Sequence, residues 1–303
     1  MSHQHRSTVV VGLAAVLLVT LAGMGSACVG ARALAMGGAF TGLADDVSAT
    51  YWNPAALVYL DGKYATWMHT ANNRDSINYQ DYLAYAQPLD EESAIGLSYM
   101  GYKMMPSLEI NGLSASWDQR WKWFSYGVKV ARNTALGANV KFIDDDLKIA
   151  LGGVQLPISA DTDMALDLAL YHKAGDTVTV GLLVQNANDP ETRISVPGVS
   201  LPVGKWGRNY RPGVAVRVPD QNIIVSGEVY DATDDGGMRA LRVGVEKRFP
   251  ESRFALRAGR YAAGKASGLT LGAGVWNEQG SLDIAYMGGD LDNTWLVSAT
   301  VKF

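Results

Sequence analysis

Cysteine is almost absent. Cys28 stands alone among 303 residues, so no intramolecular disulfide can form. Histidine is nearly as scarce, with only His3, His5, His69 and His172. No spacing of His, Cys, Asp or Glu follows a metal-ligand pattern, and no nucleophile motif, phosphate loop or Ser/His/Asp set in workable register is present. That composition points away from an enzyme and implies no cofactor and no metal. Charged residues make up only 18% of the chain, the net charge is −4, and neither sign runs beyond the size of a solvated loop. Nothing here provides a basic footprint for nucleic acid. Long apolar runs are missing as well, apart from residues 9–22. That stretch is shorter than the roughly 20 residues a spanning helix needs. Arg6 precedes it and Gly25-Ser26-Ala27 follow it, so residues 1–27 read as a secretory signal cleaved before Cys28. Cys28 is then either an ordinary residue at the mature N-terminus or a lipidation site, although Gly25 stands where a lipoprotein signal carries a large aliphatic residue.

What the chain does have is glycine (33), tyrosine (14) and tryptophan (8), at a mean hydropathy of +0.00. A transmembrane β-barrel looks average in this way, because only one face of each strand meets lipid. From residue 63 onward about fourteen segments have the length of roughly 9 to 11 residues that a tilted strand needs to cross a bilayer. They are 63–70, 77–88, 94–104, 121–131, 134–144, 162–172, 177–187, 209–218, 222–231, 239–249, 253–262, 267–276, 281–288 and 293–303. Many alternate with period two. In the last, Trp295, Val297, Ala299, Val301 and Phe303 share one face, and Ser298, Thr300 and Lys302 the other.

A soluble sandwich would alternate too, but the connections separate the two folds. Every second one is short (90–93, 132–133, 173–176, 219–221, 250–252 and 277–280), and the longest (103–120, 145–161 and 188–208) all fall on the opposite side. Short turns at one end and long loops at the other are the pattern of an outer-membrane barrel. Aromatics near segment ends (Trp67, Tyr99, Trp121, Trp123, Trp295) fit interfacial girdles. The terminal Phe303 on an alternating strand resembles the signal read by the outer-membrane assembly machinery. If the apolar faces meet lipid, Lys129, Lys141, Asp167, Arg217, Glu228, Arg242, Glu246, Arg257 and Asp283 line the lumen. Their mixed signs read as a charge network holding wall and plug together, since buried charges persist only when paired. Asp144-Asp145-Asp146 and Asp234-Asp235 fall in the expected outer loops.

Between the leader and the first strand lies a stretch unlike either. Residues 30–57 read GARALAMGGAFTGLADDVSATYWNPAAL. Gly37 and Gly38 break any helix, Asp45-Asp46 and Asn53-Pro54 are turn chemistry, and Asn53 is held extended by the proline after it. Small residues of this kind pack closely against something larger. We read residues 28–60 as a plug for a barrel formed by residues 61–303, with Gly37, Gly38, Asp45, Asp46, Asn53, Pro54 and Ala55 as plug and gating residues.

This stretch resembles the N-terminal signature of the FadL-like outer-membrane barrels, in particular the shorter PorV/PorQ-type branch. The resemblance implies an all-β fold, a transmembrane antiparallel barrel of about 14 strands with a short N-terminal plug, in the outer membrane of a diderm bacterium. It implies passive uptake of hydrophobic small molecules such as long-chain fatty acids, or, as the alternative, a PorV-like barrel that binds, shuttles or anchors secreted or surface proteins. Partners on these readings are outer-membrane lipid, a hydrophobic ligand, the assembly machinery and, on the second, secreted proteins. Apolar residues in the three long connections could grip either a lipid or a protein: Met104, Met105, Leu108 and Ile110; Leu151, Val154, Leu156 and Ile158; Ile194, Val196, Val199 and Leu201.

Overall fold

The computed structural model describes residues 29–72, 79–110, 112–233, 239–263, 266–289 and 293–303. The leader, Cys28 and the pair Asp234-Asp235 lie outside them. In chain order the strands are β1 (Tyr64–Asn72), β2 (Tyr79–Pro88), β3 (Ser93–Ile110), β4 (Leu113–Ala131), β5 (Thr134–Leu151), β6 (Val154–Gln155), β7 (Ser159–Thr162), β8 (Ala165–Ala174) and β9 (Val178–Gln185). They continue as β10 (Glu191–Val196), β11 (Val199–Lys205), β12 (Asn209–Val218), β13 (Ile223–Tyr230), β14 (Ala240–Phe249), β15 (Phe254–Ala263), β16 (Ala266–Asn277), β17 (Gly280–Gly289) and β18 (Thr294–Lys302).

Setting aside β6, β7, β10 and β11, fourteen strands pair antiparallel with their neighbours. The wall closes where β1 meets β18, from Tyr64↔Lys302 to Asn72↔Thr294. Closure leaves no strand edge in the wall, and each backbone group left unpaired in hydrocarbon would cost several kcal/mol. Alternation sorts the side chains. Trp295, Val297 and Val301 are exposed on the outside, while Ser298 between them is buried inside. Likewise Phe124 and Tyr126 face out and Ser125 is fully buried. Fourteen strands, all antiparallel, are what the alternation predicts.

The short connections are built by a few polar side chains. Asp90 accepts from the N–H groups of Glu92 (2.8 Å) and Ser93 (2.7 Å). Asn277 does the same for Gln279 (2.8 Å) and Gly280 (3.0 Å). Two further turns are single 3-10 turns opened by proline, Pro219–Gln221 and Pro250–Ser252, each closed by a residue in the left-handed region, Asn222 (φ 51°) and Arg253 (φ 50°). Proline fixes φ where the turn begins and needs no donor there.

The far end of the barrel differs from expectation. β3, β4 and β5 are 18, 19 and 18 residues long, far more than a bilayer requires, so residues 103–120 are a continued β-hairpin instead of a loop. Residues 145–161 continue β5 and add β6, and residues 188–208 contain β10 and β11, with β10 central between β11 and β7 in a separate three-stranded sheet. The physical reason is a second apolar core. Trp117, Leu147, Ile149 and Ile194 are buried together, with Leu156, Ile158 and Val203 packed against them. Above Phe124 and Phe142 the outer face of β4 and β5 turns charged, with Lys122 bonded to Asp144 and Arg120 to Asp146 at 3.1 Å. The triple aspartate therefore lies on a strand. Of the apolar residues expected in outer loops, Ile194, Leu156 and Ile158 belong to this core, whereas Val154, Val199 and Leu201 are exposed.

Residues 29–60 fill the lumen. They form two short helices, α1 (Ala31–Ala35) and α2 (Ala49–Trp52), and a 3-10 segment, Pro54–Tyr59. Leu34, Met36, Phe40, Leu43, Trp52 and Leu57 are essentially without solvent exposure. Each contributes roughly 1.5–3 kcal/mol of burial. None of the described helices is long and apolar enough to cross a membrane.

Candidate functional site: the plugged lumen

The plug approaches the wall so closely that side chains are excluded at the contacts. A Cβ on Gly137 would lie 2.2 Å from the Ala55 nitrogen, one on Gly181 2.1 Å from the Thr41 carbonyl oxygen, and one on Gly259 2.2 Å from the Gly37 nitrogen. Gly37 itself has φ +69° and sits against the backbone of Val243 and Arg260. Backbone touches backbone on several sides of the barrel, a contact only glycine permits.

Charged side chains complete the attachment in three groups. In the first, Arg32 of the plug bonds Asp45 at 2.6 Å, Asp46 at 3.0 Å and the buried Glu246 of β14 at 2.8 Å. Glu246 also accepts from Arg248 and Arg257, each at 2.6 Å, and Arg257 reaches Asp283 at 2.7 Å. Arg217 holds Asp45 from β12 at 3.1 Å. Four guanidiniums thus meet four carboxylates. Burial alone would raise the Asp45 carboxyl, but the charge and hydrogen bond of Arg32, with Arg217 beyond, hold it below the usual 3.8.

The second group centres on Glu228 of β13. One of its oxygens accepts the backbone N–H of Phe40 (3.1 Å) and Thr41 (2.9 Å). The other is held by Arg211 at 2.8 Å, with Arg242 at 3.6 Å. The Arg211 guanidinium lies over the rings of Trp52 (4.8 Å), Tyr230 (5.1 Å) and Tyr51 (5.9 Å), and its Nη1 has no hydrogen-bond partner among the described residues. Lys141 and Asp167 form the third group at 2.7 Å. Asp167 also accepts from Asn139, whose amide donates in turn to the Thr50 carbonyl of the plug at 3.0 Å.

Of the plug residues expected from sequence, Asp45 and Asp46 join the Arg32 cluster. Gly38 lies beside Arg242, where a Cβ would come within 3.1 Å of the guanidinium. Asn53 is a three-way tie: its amide donates to the carbonyls of Thr41 and Leu170, both at 3.0 Å, and its oxygen caps Ala55 at 3.2 Å. Pro54 opens the 3-10 turn beneath Gly127 and Gly137. Phe303 is 73% exposed after β18. One expectation fails. Lys129 faces the lumen at its rim but makes no ion pair among the described residues, donating instead to the Glu91 carbonyl. Its position at the mouth, beyond the plug's carboxylates, explains this. Sequence reading also passed over Arg32, Arg248 and Arg211, although Arg211 is in phase with Arg217 on the same strand.

Two cavities open beside the plug at the short-turn end. One, of about 610 Å³, runs between the plug and β16, β17, β18 and β1, reaching Gly30, Arg32 and Ser48 and lined on the wall by Thr66, Ser298 and Thr300. The other, of about 340 Å³, is lined by Ala56, Tyr59, Leu60 and Tyr171 and bordered by Lys173 and Arg217. On the opposite side rings of plug and wall cluster: Phe40 and Tyr51 of the plug meet Trp52 edge-on, and Tyr82 of β2 stacks on Trp123 of β4 at 5.8 Å.

The architecture is thus a closed fourteen-stranded barrel filled by a segment of its own chain. Solved channels share this fold. The toluene transporter TbuX of Ralstonia pickettii aligns with a TM-score of 0.68 over 91% of this chain and 98% of that one, at 13% identity. The CymD monoaromatic hydrocarbon channel aligns at 0.67 over 91% and 97%, also at 13% identity. A FadL homologue of Pseudomonas aeruginosa aligns at 0.62 over 88% and 96%, at 14% identity. At such identities the likeness is one of fold: the chain is a FadL-like plugged barrel in architecture. No family model and no curated sequence matches it.

Proposed function

We propose that this protein is an outer-membrane channel for the passive uptake of small hydrophobic compounds, long-chain fatty acids among them, with residues 28–60 as the gate. The observation that carries this reading is the way the lumen is filled. A segment of the same chain blocks it, and that segment is tied to the wall by ion pairs and hydrogen bonds, which can open and re-form as discrete states. The aromatic cluster on the plug's outer side offers an apolar approach, and the 610 Å³ cavity begins directly beneath the plug on the other. The likeness to toluene and monoaromatic hydrocarbon channels supports the same substrate character. The short-turn end then faces the periplasm, residues 1–27 direct export, and Phe303 is read by the assembly machinery.

The test is binding of a fluorescent long-chain fatty acid, and of toluene in competition, to the folded barrel in detergent, beside the variant Asn53→Ala. Saturable binding altered by the variant supports uptake through the gate. Absence of saturable binding for both compounds overturns it.

A second reading has one observation behind it. Val199 and Leu201 stand exposed on β11, an edge strand of the sheet beyond the barrel. Unpaired edges of this kind accept an extended partner strand. On this reading the barrel is a PorV-like carrier of secreted proteins, in keeping with the signature at residues 30–57. Its test is co-purification of an exported protein that is lost when Leu201 is replaced by lysine.

A further inference from the structure

Arg260 of β15 stands on the outside of the wall. The residues on either side of it face the lumen: a Cβ on Gly259 would meet the Gly37 nitrogen of the plug, and Tyr261 is buried. Alternation therefore turns the Arg260 side chain outward, where it is exposed. Its partners across the two ladders are Val243 of β14 and Leu269 of β16, both exposed on the same surface. One step further along the strand on each side, Ala262 lies opposite Leu241 and Ala258 opposite Val245 and Leu271, which are exposed as well. A guanidinium is thus set among side chains that meet hydrocarbon. Among the described residues it has no ion pair and no side-chain hydrogen bond.

The rest of the outer surface treats charge differently. His69 of β1 meets Asp81 of β2 at 2.8 Å, Arg120 meets Asp146 at 3.1 Å, and Lys122 meets Asp144. An unpaired arginine on a lipid-facing wall is destabilising unless its head reaches the interface and finds an anion there. The position of Arg260 allows that reach. Ala263, the last residue of β15, comes three positions later, at the end away from the short turns. Tyr286 stands equally far from Gly289 at the end of β17, packs on Trp295 with ring centres 4.8 Å apart, and donates its hydroxyl to Asn293. Paired aromatics of this kind mark the level of the headgroups. A long side chain at that level snorkels towards them. Below it, Ala258 is small while Val245 and Leu271 stand on either side, so a shallow furrow runs down β15 from the guanidinium.

We infer that Arg260 binds the phosphate of an acidic lipid in the outer leaflet, with an acyl chain laid over Ala258 between Val245 and Leu271. The planar guanidinium matches phosphate with two parallel hydrogen bonds, and the flanking apolar side chains keep water from competing. A carboxylate from a second copy would also neutralise the charge. The outward carboxylates nearest the apolar belt, Asp81 and Asp144, are already paired, which favours the lipid. The inference depends on the barrel spanning a membrane with its short turns inward. It goes beyond uptake, because this lipid stays outside the lumen.

The test is native mass spectrometry of the folded full barrel in a non-ionic detergent. The barrel is titrated with dioleoylphosphatidylglycerol, with dioleoylglycerol, which lacks the phosphate, and with inorganic phosphate as competitor. Wild type is compared with Arg260→Leu and Arg260→Lys, with heat-modified gel migration as the check of folding and fluorescent fatty-acid binding as a separate readout. The first phosphatidylglycerol is expected to bind at least about tenfold more weakly to Arg260→Leu, with a smaller loss in Arg260→Lys. Dioleoylglycerol and the fatty acid should bind all three proteins alike. Equal phosphatidylglycerol affinity in wild type and Arg260→Leu would overturn the site. Displacement of the lipid by excess inorganic phosphate would reduce it to a contact for any anion and overturn the furrow. Self-association that needs Arg260, with no lipid retained, would give the arginine to a second copy instead. Loss of fatty-acid binding in Arg260→Leu would draw the residue into uptake and overturn a separate lipid site. Retained lipid with no fatty acid bound by any of the three would overturn uptake and leave this site standing.

Discussion

Thr41 donates its backbone N–H to the Glu228 carboxylate at 2.9 Å, so a plug residue and a wall residue 187 positions apart share a bond inside the lumen. The same oxygen accepts from Phe40, and the opposite oxygen is fixed by Arg211, which itself lies over Trp52 of the plug. Plug and wall are therefore coupled through one fully buried carboxylate. Withdrawing the plug would take two donors from Glu228 and a ring from Arg211 at once.

Glu228→Gln removes the only carboxylate that Arg211 and Arg242 share among the described residues. A cation left unpaired in the interior costs about 3–5 kcal/mol. The variant is expected to unfold from its heat-resistant form at clearly lower temperature, with Trp52 fluorescence shifted to the red. An unchanged transition would show that the plug is seated by its apolar packing alone.

Gly181→Ala tests the backbone contact. The new methyl would stand 2.1 Å from the Thr41 carbonyl oxygen, so backbone on one side of the contact must shift. Overpacking of this kind costs about 1–3 kcal/mol. Here the plug is the movable side, so we expect a folded barrel with raised conductance in a planar bilayer. Gly204→Ala, with nothing within 4 Å, serves as the neutral control.

The wall was largely legible in the sequence, because lipid outside and plug inside impose period-two alternation directly on residues such as Trp295 and Ser298. The extension of β3, β4 and β5 was not. Asp144, Asp145 and Asp146 look like a loop until the partners of Asp145 are known: Trp117 and Gln119 of β4 and Thr162 of β7 donate to it. The plug's position was announced by its small residues and its resemblance to a known signature. Its wall contacts were hidden, since Gly137, Gly181 and Gly259 read as ordinary strand glycines until the chain crossing them is in place. Lys129 shows the limit of parity: alternation puts a charge inside the barrel but not at a particular depth.

The Arg32 cluster is expected to keep the plug seated in acid. The Asp45 carboxyl is held below 3.8 in the folded protein, chiefly by Arg32 against the opposing effect of burial. A depressed carboxylate contributes stability that is whole above its unfolded value and fades as pH falls through the folded one. Tryptophan fluorescence and ligand binding should therefore be flat between about pH 5 and pH 8, with loosening only below the usual carboxylate range. In Arg32→Gln, Asp45 loses its main partner and the loosening moves to higher pH. A transition near neutrality in the wild type would mean that another group controls the plug.

The extension beyond the barrel has its own core, and that predicts separable unfolding. Ile149 is 1% exposed and packs with Trp117, Leu147 and Ile194, far from the plug. Truncating such a residue costs about 2–5 kcal/mol where the cavity cannot collapse. Because the cluster shares no buried residue with the lumen core, Ile149→Ala is expected to expose residues 145–205 to protease while the barrel keeps its heat-modified migration and its ligand affinity. Loss of ligand binding in parallel with the new cleavage would instead couple the outer sheet to the binding path, through β4 and β5 or through Trp206, which packs on the lumen core and donates to Thr192 of the outer sheet.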